Sequence, residues 1–90
     1  MRRRAKVDRN QPSITAALRA AGWAVKPLHT VGQGFPDLAV AKTGVNLLVE
    51  VKMPGEKLTP DEIEFHAAWP GPIIIAYDEQ DAIEKAEALR

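Results

Sequence analysis

The chain contains no cysteine among its 90 residues, which excludes disulfide bonds and any zinc site built on thiolates. It has no apolar run approaching the ~18 residues of a membrane-spanning helix, and the basic residues at positions 2 to 4 precede no apolar signal segment. Its formal net charge is zero, so overall positive charge cannot be what holds it on nucleic acid. These absences predict a soluble, cytoplasmic protein whose function depends on local groups of residues.

Length and composition set the number of domains. A chain of 90 residues, 46% of them hydrophobic, can form one core but not two. We predict a basic arm over residues 1–9 and a single folded domain over residues 10–90. The arm can supply contacts to phosphate groups, or it can be a solvated tail without a specific role. Its basic residues are Arg2, Arg3, Arg4, Lys6 and Arg9.

The stretch over 34–52, GFPDLAVAKTGVNLLVEVK, places charged residues inside two apolar runs. The runs over 38–41 and 45–52 predict two strands, and the residues between them are typical of a tight turn. If the hairpin closes tightly at that turn, Asp37 faces Glu50 across the two strands. Buried charges are unfavourable unless another group compensates them.

Side-chain alternation predicts which residues share the site. Glu50 and Lys52 lie on the Asp37 face of the hairpin, and Val51 points to the opposite, apolar face. Facing residues lie about 4.5–5.5 Å apart at Cβ, so two carboxylates there can share a divalent cation and repel each other without one. Oxygen ligands favour Mg²⁺ or Mn²⁺ over zinc. The alternative is a salt-bridged cluster of the same three charged residues without metal.

These residues resemble a known nuclease motif. Pro36 and Asp37 followed by Glu50, Val51 and Lys52 resemble the PD-(D/E)XK motif, and GFPDL with LLVEVKMPGEKLTPDE resembles VRR-NUC nucleases and phage Holliday junction resolvase-like proteins. The resemblance implies that Asp37, Glu50 and the backbone carbonyl of Val51 bind the catalytic metal, and that Lys52 helps to activate water. It implies a Mg²⁺-dependent DNA endonuclease, acting on branched DNA as a homodimer.

Three further polar residues have two interpretations each. Many such relatives have a metal-binding glutamate in the first helix; Gln11 stands at that position, where a neutral amide can still accept a hydrogen bond from water. Gln11 can equally be an exposed first-turn residue. His29 can contact phosphate or water beside the metal, or be an exposed loop residue. Lys57 can contact phosphate or be solvated.

The second predicted helix carries residues that suit either a core or a nucleic-acid contact. Ile63, His66 and Trp69 recur at helical spacing on one face. His66 and Trp69 can stack on nucleic acid or hydrogen bond to it, although a tryptophan at this spacing is more often part of a core. Relatives often have a glutamine where Ile63 stands, so we expect that side chain's role to be missing here.

Cap and turn residues predict where the helices begin and end. Asn10 as a cap, with Pro12 in the first turn, predicts the start of the first helix, and Gly22 predicts its end. Thr59 followed by an acid three residues on is a capping box that starts the second helix. Asp78 caps a third. The residues expected on the inner face of that third helix are Ala82, Ile83, Ala86 and Leu89.

Two more apolar segments complete the predicted sheet. The segment over 23–28 contains Pro27 and predicts an edge strand, and the continuous apolar run over 72–77 predicts a strand inside the sheet or under a partner. The resulting order is α-β-β-β-α-β-α. We therefore predict an α/β fold in which helices flank a mixed central sheet, as in a restriction-endonuclease-like core.

Two other functions remain open. A non-catalytic DNA-binding subunit that keeps the nuclease fold is the first, because Gln11 and Ile63 stand where relatives have other residues. The second is a double-stranded RNA binding module, whose elements share this order up to the second helix. Such a module needs lysines at the start of that helix to contact phosphates, and here that segment reads TPDEIE.

Overall fold

Seven elements follow one another in the structure, a computed structural model that describes residues 8–28 and 30–90. They are α1 Gln11–Ala20, β1 Ala24–Pro27, β2 Leu38–Lys42, β3 Val45–Val51, α2 Pro60–Ala68, β4 Ile73–Ala76 and α3 Glu79–Glu87. The strands form one sheet in the order β1-β2-β3-β4; the first three are antiparallel neighbours, and β4 runs parallel to β3. The predicted order of elements and the mixed sheet are confirmed.

The β2–β3 hairpin has the predicted register. Leu38 pairs with Val49, and the pairing continues to the end of the hairpin. Thr43 and Gly44 make the turn with positive φ angles of 46° and 85°, as the two-residue turns that match strand twist require. This register places Asp37 beside Glu50.

One face of the sheet carries the hydrophobic core. The strand residues on this face, each at most 3% exposed, are Leu38, Val40, Leu47, Val49 and Val51. The buried helix residues that complete the core are Ile14, Leu18, Ala82 and Ala86. Because α1 and α3 cover this face, the opposite face is left for the charged residues and for α2.

The two ends of α1 differ from the prediction in one respect. Gly22 follows the helix with a φ of +96°, as a glycine past a helix end commonly does. Asn10 holds the cap position, but its side chain makes no capping hydrogen bond. Its amide instead donates to the carbonyls of Lys52 and Tyr77, at 3.1 and 3.0 Å. The amide therefore ties α1 to the ends of β3 and β4.

The later helices begin where the sequence predicts. The Thr59 hydroxyl accepts from the Glu62 amide at 3.2 Å, and the Glu62 carboxylate accepts from the Thr59 amide at 2.8 Å. Asp78 caps α3 by accepting from the Asp81 amide. Leu89 is 43% exposed because α3 ends before it, so its predicted inward position is wrong. Within the described part of the chain, no helix reaches the length and apolar character that a bilayer span requires.

Of the two predictions for strands β1 and β4, the first is confirmed and the second is wrong in part. β1 is an edge strand and carries Pro27 at its end, as predicted. β4 was predicted either inside the sheet or under a partner; within the described residues it pairs with β3 alone and forms the other edge. Its residues Ile73 to Ile75 are half-buried and Ala76 is buried. The interior placement is wrong because no described strand follows β4 in the sheet.

Candidate active site

The two carboxyl groups of Asp37 and Glu50 meet on the face of the sheet away from the core. The Asp37 amide donates to the Val49 carbonyl at 3.1 Å, one residue out of the Leu38–Val49 register, and the Asp37 carbonyl accepts from the Leu28 amide at 2.7 Å, which continues the β1–β2 register. One oxygen of Asp37 accepts from the Val51 amide at 2.7 Å, and the carboxyl groups of Asp37 and Glu50 hydrogen bond to each other. Glu50 is 1% exposed.

Burial changes the protonation of this pair. Loss of hydration, followed by the hydrogen bond and the charge of Asp37, raises the pKa of Glu50 to about 10. Burial also raises the pKa of Asp37. At neutral pH the two groups therefore share a proton instead of both being ionised. A cation that binds here has to displace that proton.

Lys52 lies directly after β3, and its amide donates to the Ala76 carbonyl at 3.0 Å. Its ammonium is 2.7 Å from Glu62 Oε1, with the two side chains 7% and 16% exposed. Burial lowers the pKa of Lys52, but the hydrogen bond and charge of Glu62 outweigh burial and the pKa is raised. The Lys52 ammonium is therefore a positive charge that the ion pair with Glu62 fixes beside the carboxyl pair.

Helix α2 supplies Glu62, which sequence analysis assigned only to the capping box, and His66, which it assigned to a core or a nucleic-acid contact and not to the carboxyl pair. Glu62 binds Lys52, and His66 Nε2 lies 3.2 Å from Glu50 Oε1. Burial lowers the pKa of His66. The two residues are one helical turn apart, so the face of α2 that meets the sheet runs through them and not through Ile63, which is 56% exposed. The signal in the sequence that could have identified these residues was the capping box, because it fixes where α2 starts.

An aromatic cluster of Phe35, Phe65 and Trp69 joins α2 to the loop before Asp37. The Phe65 and Trp69 rings stack with centroids 5.1 Å apart, and Phe35 meets Phe65 edge-on at 4.9 Å. Gly34, with a φ of +79°, packs so closely that a Cβ there would lie 2.5 Å from the Asp61 carbonyl oxygen. These contacts hold the loop that carries Asp37 against the start of α2.

The carboxyl pair and Lys52 open into a cleft of about 300 Å³. Gln11 is 5% exposed, which rules out the exposed interpretation, and among residues 8–28 and 30–90 its buried side-chain oxygen has no hydrogen-bond partner. Its neighbour Asn10 binds the Lys52 carbonyl, and Asp8 lines the cleft. The start of α1 is therefore next to the site.

Some predicted contact residues lie away from the cleft or outside the described residues. Arg9 and Lys57 are exposed and do not line it. His29 and the arm residues Arg2, Arg3, Arg4 and Lys6 fall outside the described residues.

The site residues fit a hard divalent cation. Within the described residues, no three acidic or histidine side chains form a group that can hold a metal ion, so a cation would need other oxygen ligands. The Val51 carbonyl is one candidate, and the unpartnered oxygen of Gln11 is a second. With Asp37 and Glu50 this donor set consists of oxygens, the ligands that Mg²⁺ and Mn²⁺ prefer.

Comparison with known proteins agrees with the fold. No protein-family model matches the chain, and no curated protein matches it. A solved structure described as "VRR_NUC domain" is similar, with a TM-score of 0.74 and 25% sequence identity over 91% of this chain and 95% of that one. The chain therefore has a VRR-NUC nuclease-like fold, a small α/β domain with three helices and a mixed four-stranded sheet.

Proposed function

We propose that this chain is a metal-dependent nuclease that hydrolyses phosphodiester bonds of DNA. The observation that carries the proposal is the hydrogen-bonded pair of Asp37 and Glu50 beside Lys52, at the mouth of an open cleft. This pair is unfavourable for a purely structural role, because burial and mutual repulsion both oppose its ionisation. Strongly shifted carboxyl groups in a cleft are typical of functional sites.

The carboxyl oxygens of Asp37 and Glu50 and the Val51 carbonyl would hold Mg²⁺ or Mn²⁺. Such a cation, when bound, supplies polarisation of the scissile phosphate and a lower pKa for water beside it. The Gln11 oxygen would support the cation directly or through water. His66 holds the Glu50 carboxyl in position, since its Nε2 is 3.2 Å from Glu50 Oε1.

Lys52 is the group we assign to the phosphate and the attacking water. Its ammonium has three donors, and the ion pair with Glu62 leaves hydrogens for other acceptors. A fixed positive charge in a site that excludes bulk water stabilises the negative charge that develops on the phosphate. Glu62 keeps that charge in one place.

We propose branched DNA as the substrate and a homodimer as the active form, in a cytoplasmic setting. The part of the chain that the structure describes contains one such site, and cutting both strands of a junction needs two. The edge strand β4 leaves half-buried isoleucines available for a second copy. The basic arm and Lys57 would then contact phosphates away from the cleft.

The test is cleavage of defined DNAs. Purified protein is incubated with a four-way junction, a flap and a linear duplex, in Mg²⁺, Mn²⁺ or EDTA. We expect metal-dependent cleavage that favours the junction and that is lost in Lys52→Ala. Lys85→Ala is the matched control, because Lys85 is a lysine paired with Asp81 on α3. Cleavage that survives in Lys52→Ala or in EDTA would contradict the proposal.

A non-catalytic DNA-binding subunit is the second candidate, favoured by the neutral Gln11 where a charged ligand is expected. Metal-dependent binding of the same DNAs without cleavage of any would support it. The double-stranded RNA binding alternative is disfavoured, since α2 begins with Asp61 and Glu62 and the fold continues through a parallel β4 into α3.

A further inference from the structure

A shallow groove adjoins the carboxyl pair on the same face of the sheet. Helix α2 runs along β3 on this face, where its side chains meet Lys52 and Glu50. Past the end of α2 the face is uncovered and forms a groove of about 260 Å³. The residues that line it include Ala39, Asn46, Leu48, Trp69, Gly71 and Pro72.

The Trp69 ring is exposed and yet held in place. It is 41% exposed, and its plane lies within 19° of the Phe65 ring at a centroid distance of 5.1 Å. A Cβ at position 71 would come within 2.9 Å of the indole nitrogen, so Gly71 permits this ring position. A rigid, partly exposed indole offers aromatic surface at little cost in conformational entropy.

The groove begins two residues along the hairpin from the carboxyl pair. Ala39 and Leu48 face each other in the hairpin, each two residues from one of the site carboxyls. Two residues of strand span about 6.6–6.8 Å, which is within reach of a nucleotide next to a phosphate bound at Asp37 and Glu50. A DNA strand that leaves the site along the sheet therefore passes over the groove.

The charges of the lining residues favour a path of the DNA strand along the sheet and over the groove. The cleft at the carboxyl pair is lined by Asp8, Glu56 and Glu62 besides Lys52, so Lys52 is the cation among the lining residues that the structure describes, and the acids oppose phosphate elsewhere in the cleft. None of the described residues that line the groove is acidic, and a neighbouring cavity over β1, which shares Ala39 and Asn46 with the groove, is also lined by Lys26. The sugar-phosphate chain is thus directed along the sheet.

We propose that the groove binds an unpaired nucleobase of the strand being cut, stacked on Trp69 with its edge toward Asn46. The proposal deepens the nuclease function above and rests on it. Every base has a face that can stack on an aromatic side chain, and the Asn46 amide carries both donors and an acceptor for a base edge. A base within a duplex has no free face, so the groove takes frayed or single-stranded nucleotides.

Binding of short single-stranded oligonucleotides tests this. Anisotropy is measured in a Lys52→Ala background, which keeps the strand intact, with a normal strand and with one in which successive bases are replaced by abasic sites. We expect Trp69→Ala to weaken binding of the normal strand about tenfold or more, Trp69→Phe to retain part of it, and Asn46→Ala to weaken it less. Ile63→Ala, another exposed apolar residue of α2, is the matched control and should leave binding unchanged.

The abasic strand distinguishes binding of a base in the groove from general affinity for DNA. An abasic site at the position whose base stacks on Trp69 should weaken binding to the Lys52→Ala protein. It should not weaken binding further when Trp69→Ala is added. If the two strands bind equally, or if Trp69→Phe behaves as Trp69→Ala while both remain folded by circular dichroism, the proposal is overturned.

Two further outcomes keep the hypotheses distinct. If Trp69→Ala turns a dimer into a monomer by light scattering while each chain binds DNA as before, the groove belongs to a second copy and the base proposal fails. If base-dependent binding through Trp69 occurs but no DNA is cleaved by the wild type in Mg²⁺ or Mn²⁺, the groove proposal stands and the nuclease proposal fails.

Discussion

The ammonium of Lys52 and the Oε1 atom of Glu62 are 2.7 Å apart in an ion pair that is largely shielded from water. The same oxygen accepts from the Thr59 amide at 2.8 Å, as half of the capping box of α2. A single carboxylate thus links the start of a helix to the cation of the site. Local helix signals and site geometry are coupled through Glu62.

Substitution of Glu62 should affect stability and activity together. Glu62→Ala leaves a buried ammonium unpaired and removes a cap, which should lower the free energy of unfolding by roughly 3 kcal/mol. Glu62→Gln keeps an oxygen for both donors and should lose less. Urea unfolding and junction cleavage measure the two effects. A Glu62→Ala protein as stable and as active as the wild type would show that the ion pair has no role.

Replacement of Gly34 by alanine should displace the loop that carries Asp37. The new Cβ would lie 2.5 Å from the Asp61 carbonyl oxygen, and the backbone has a positive φ. Gly32→Ala is a matched control, since its φ of +75° gives similar strain but no atom of the described residues lies within 4 Å of its Cβ position. We expect a loss of about 1–2 kcal/mol for Gly32→Ala and a larger loss, with impaired cleavage, for Gly34→Ala.

Equal stabilities and equal cleavage rates for these two variants would show that the contact between Gly34 and α2 does not position Asp37. Urea unfolding and the junction assay provide both numbers.

Restoring a negative charge at position 11 should strengthen cation binding. Within the described residues the side-chain oxygen of Gln11 is buried without a hydrogen-bond partner, and the start of α1 lies next to the cleft, so we expect Gln11→Glu to add a carboxylate that a cation in the cleft can use. We expect Mn²⁺ affinity by calorimetry to rise by roughly one order of magnitude, and stability in EDTA to fall because a third carboxylate is buried there. Ser13→Glu adds the same charge at an exposed position of α1 and controls for general electrostatics.

Unchanged Mn²⁺ binding in Gln11→Glu, with the protein still folded, would place Gln11 outside the metal site.

The pH dependence of stability should include a contribution from Glu87. Hydrogen bonds from Arg90 and Lys42, and one from Trp23, lower the pKa of Glu87 to about 2. A carboxyl with a depressed folded-state pKa stabilises the fold above its unfolded value, near 4.5, and this contribution is lost as pH falls toward 2. Glu87→Gln should therefore be less stable than the wild type at neutral pH and approach it in acid.

Chemical unfolding of both proteins at a series of pH values measures this difference. A difference in stability that stays constant from pH 7 to pH 3 would show that Glu87 makes no titrating contribution. The contacts of Glu87 with β2 and Trp23 come from packing between distant parts of the chain.

Several features of the fold could be predicted because they depend on neighbours in the sequence. The turn at Thr43 and Gly44 and the alternation of apolar residues set the register of β2 and β3, which brought Asp37 to Glu50. The capping box at Thr59 set the start of α2. Side-chain alternation along a strand, a tight turn and a helix cap each depend on a few residues that are close in the sequence. They can therefore be predicted from those residues alone.

Other features depend on how distant elements pack. Sequence determined the hairpin, the order of elements and the chemistry of the carboxyl pair. Only the tertiary structure decided that α2 turns Glu62 and His66 toward the sheet, that Gln11 is buried, and that β4 forms an edge. Helical periodicity shows which residues share a face but not which face meets the sheet, because that choice is made by burial and charge pairing across the whole chain.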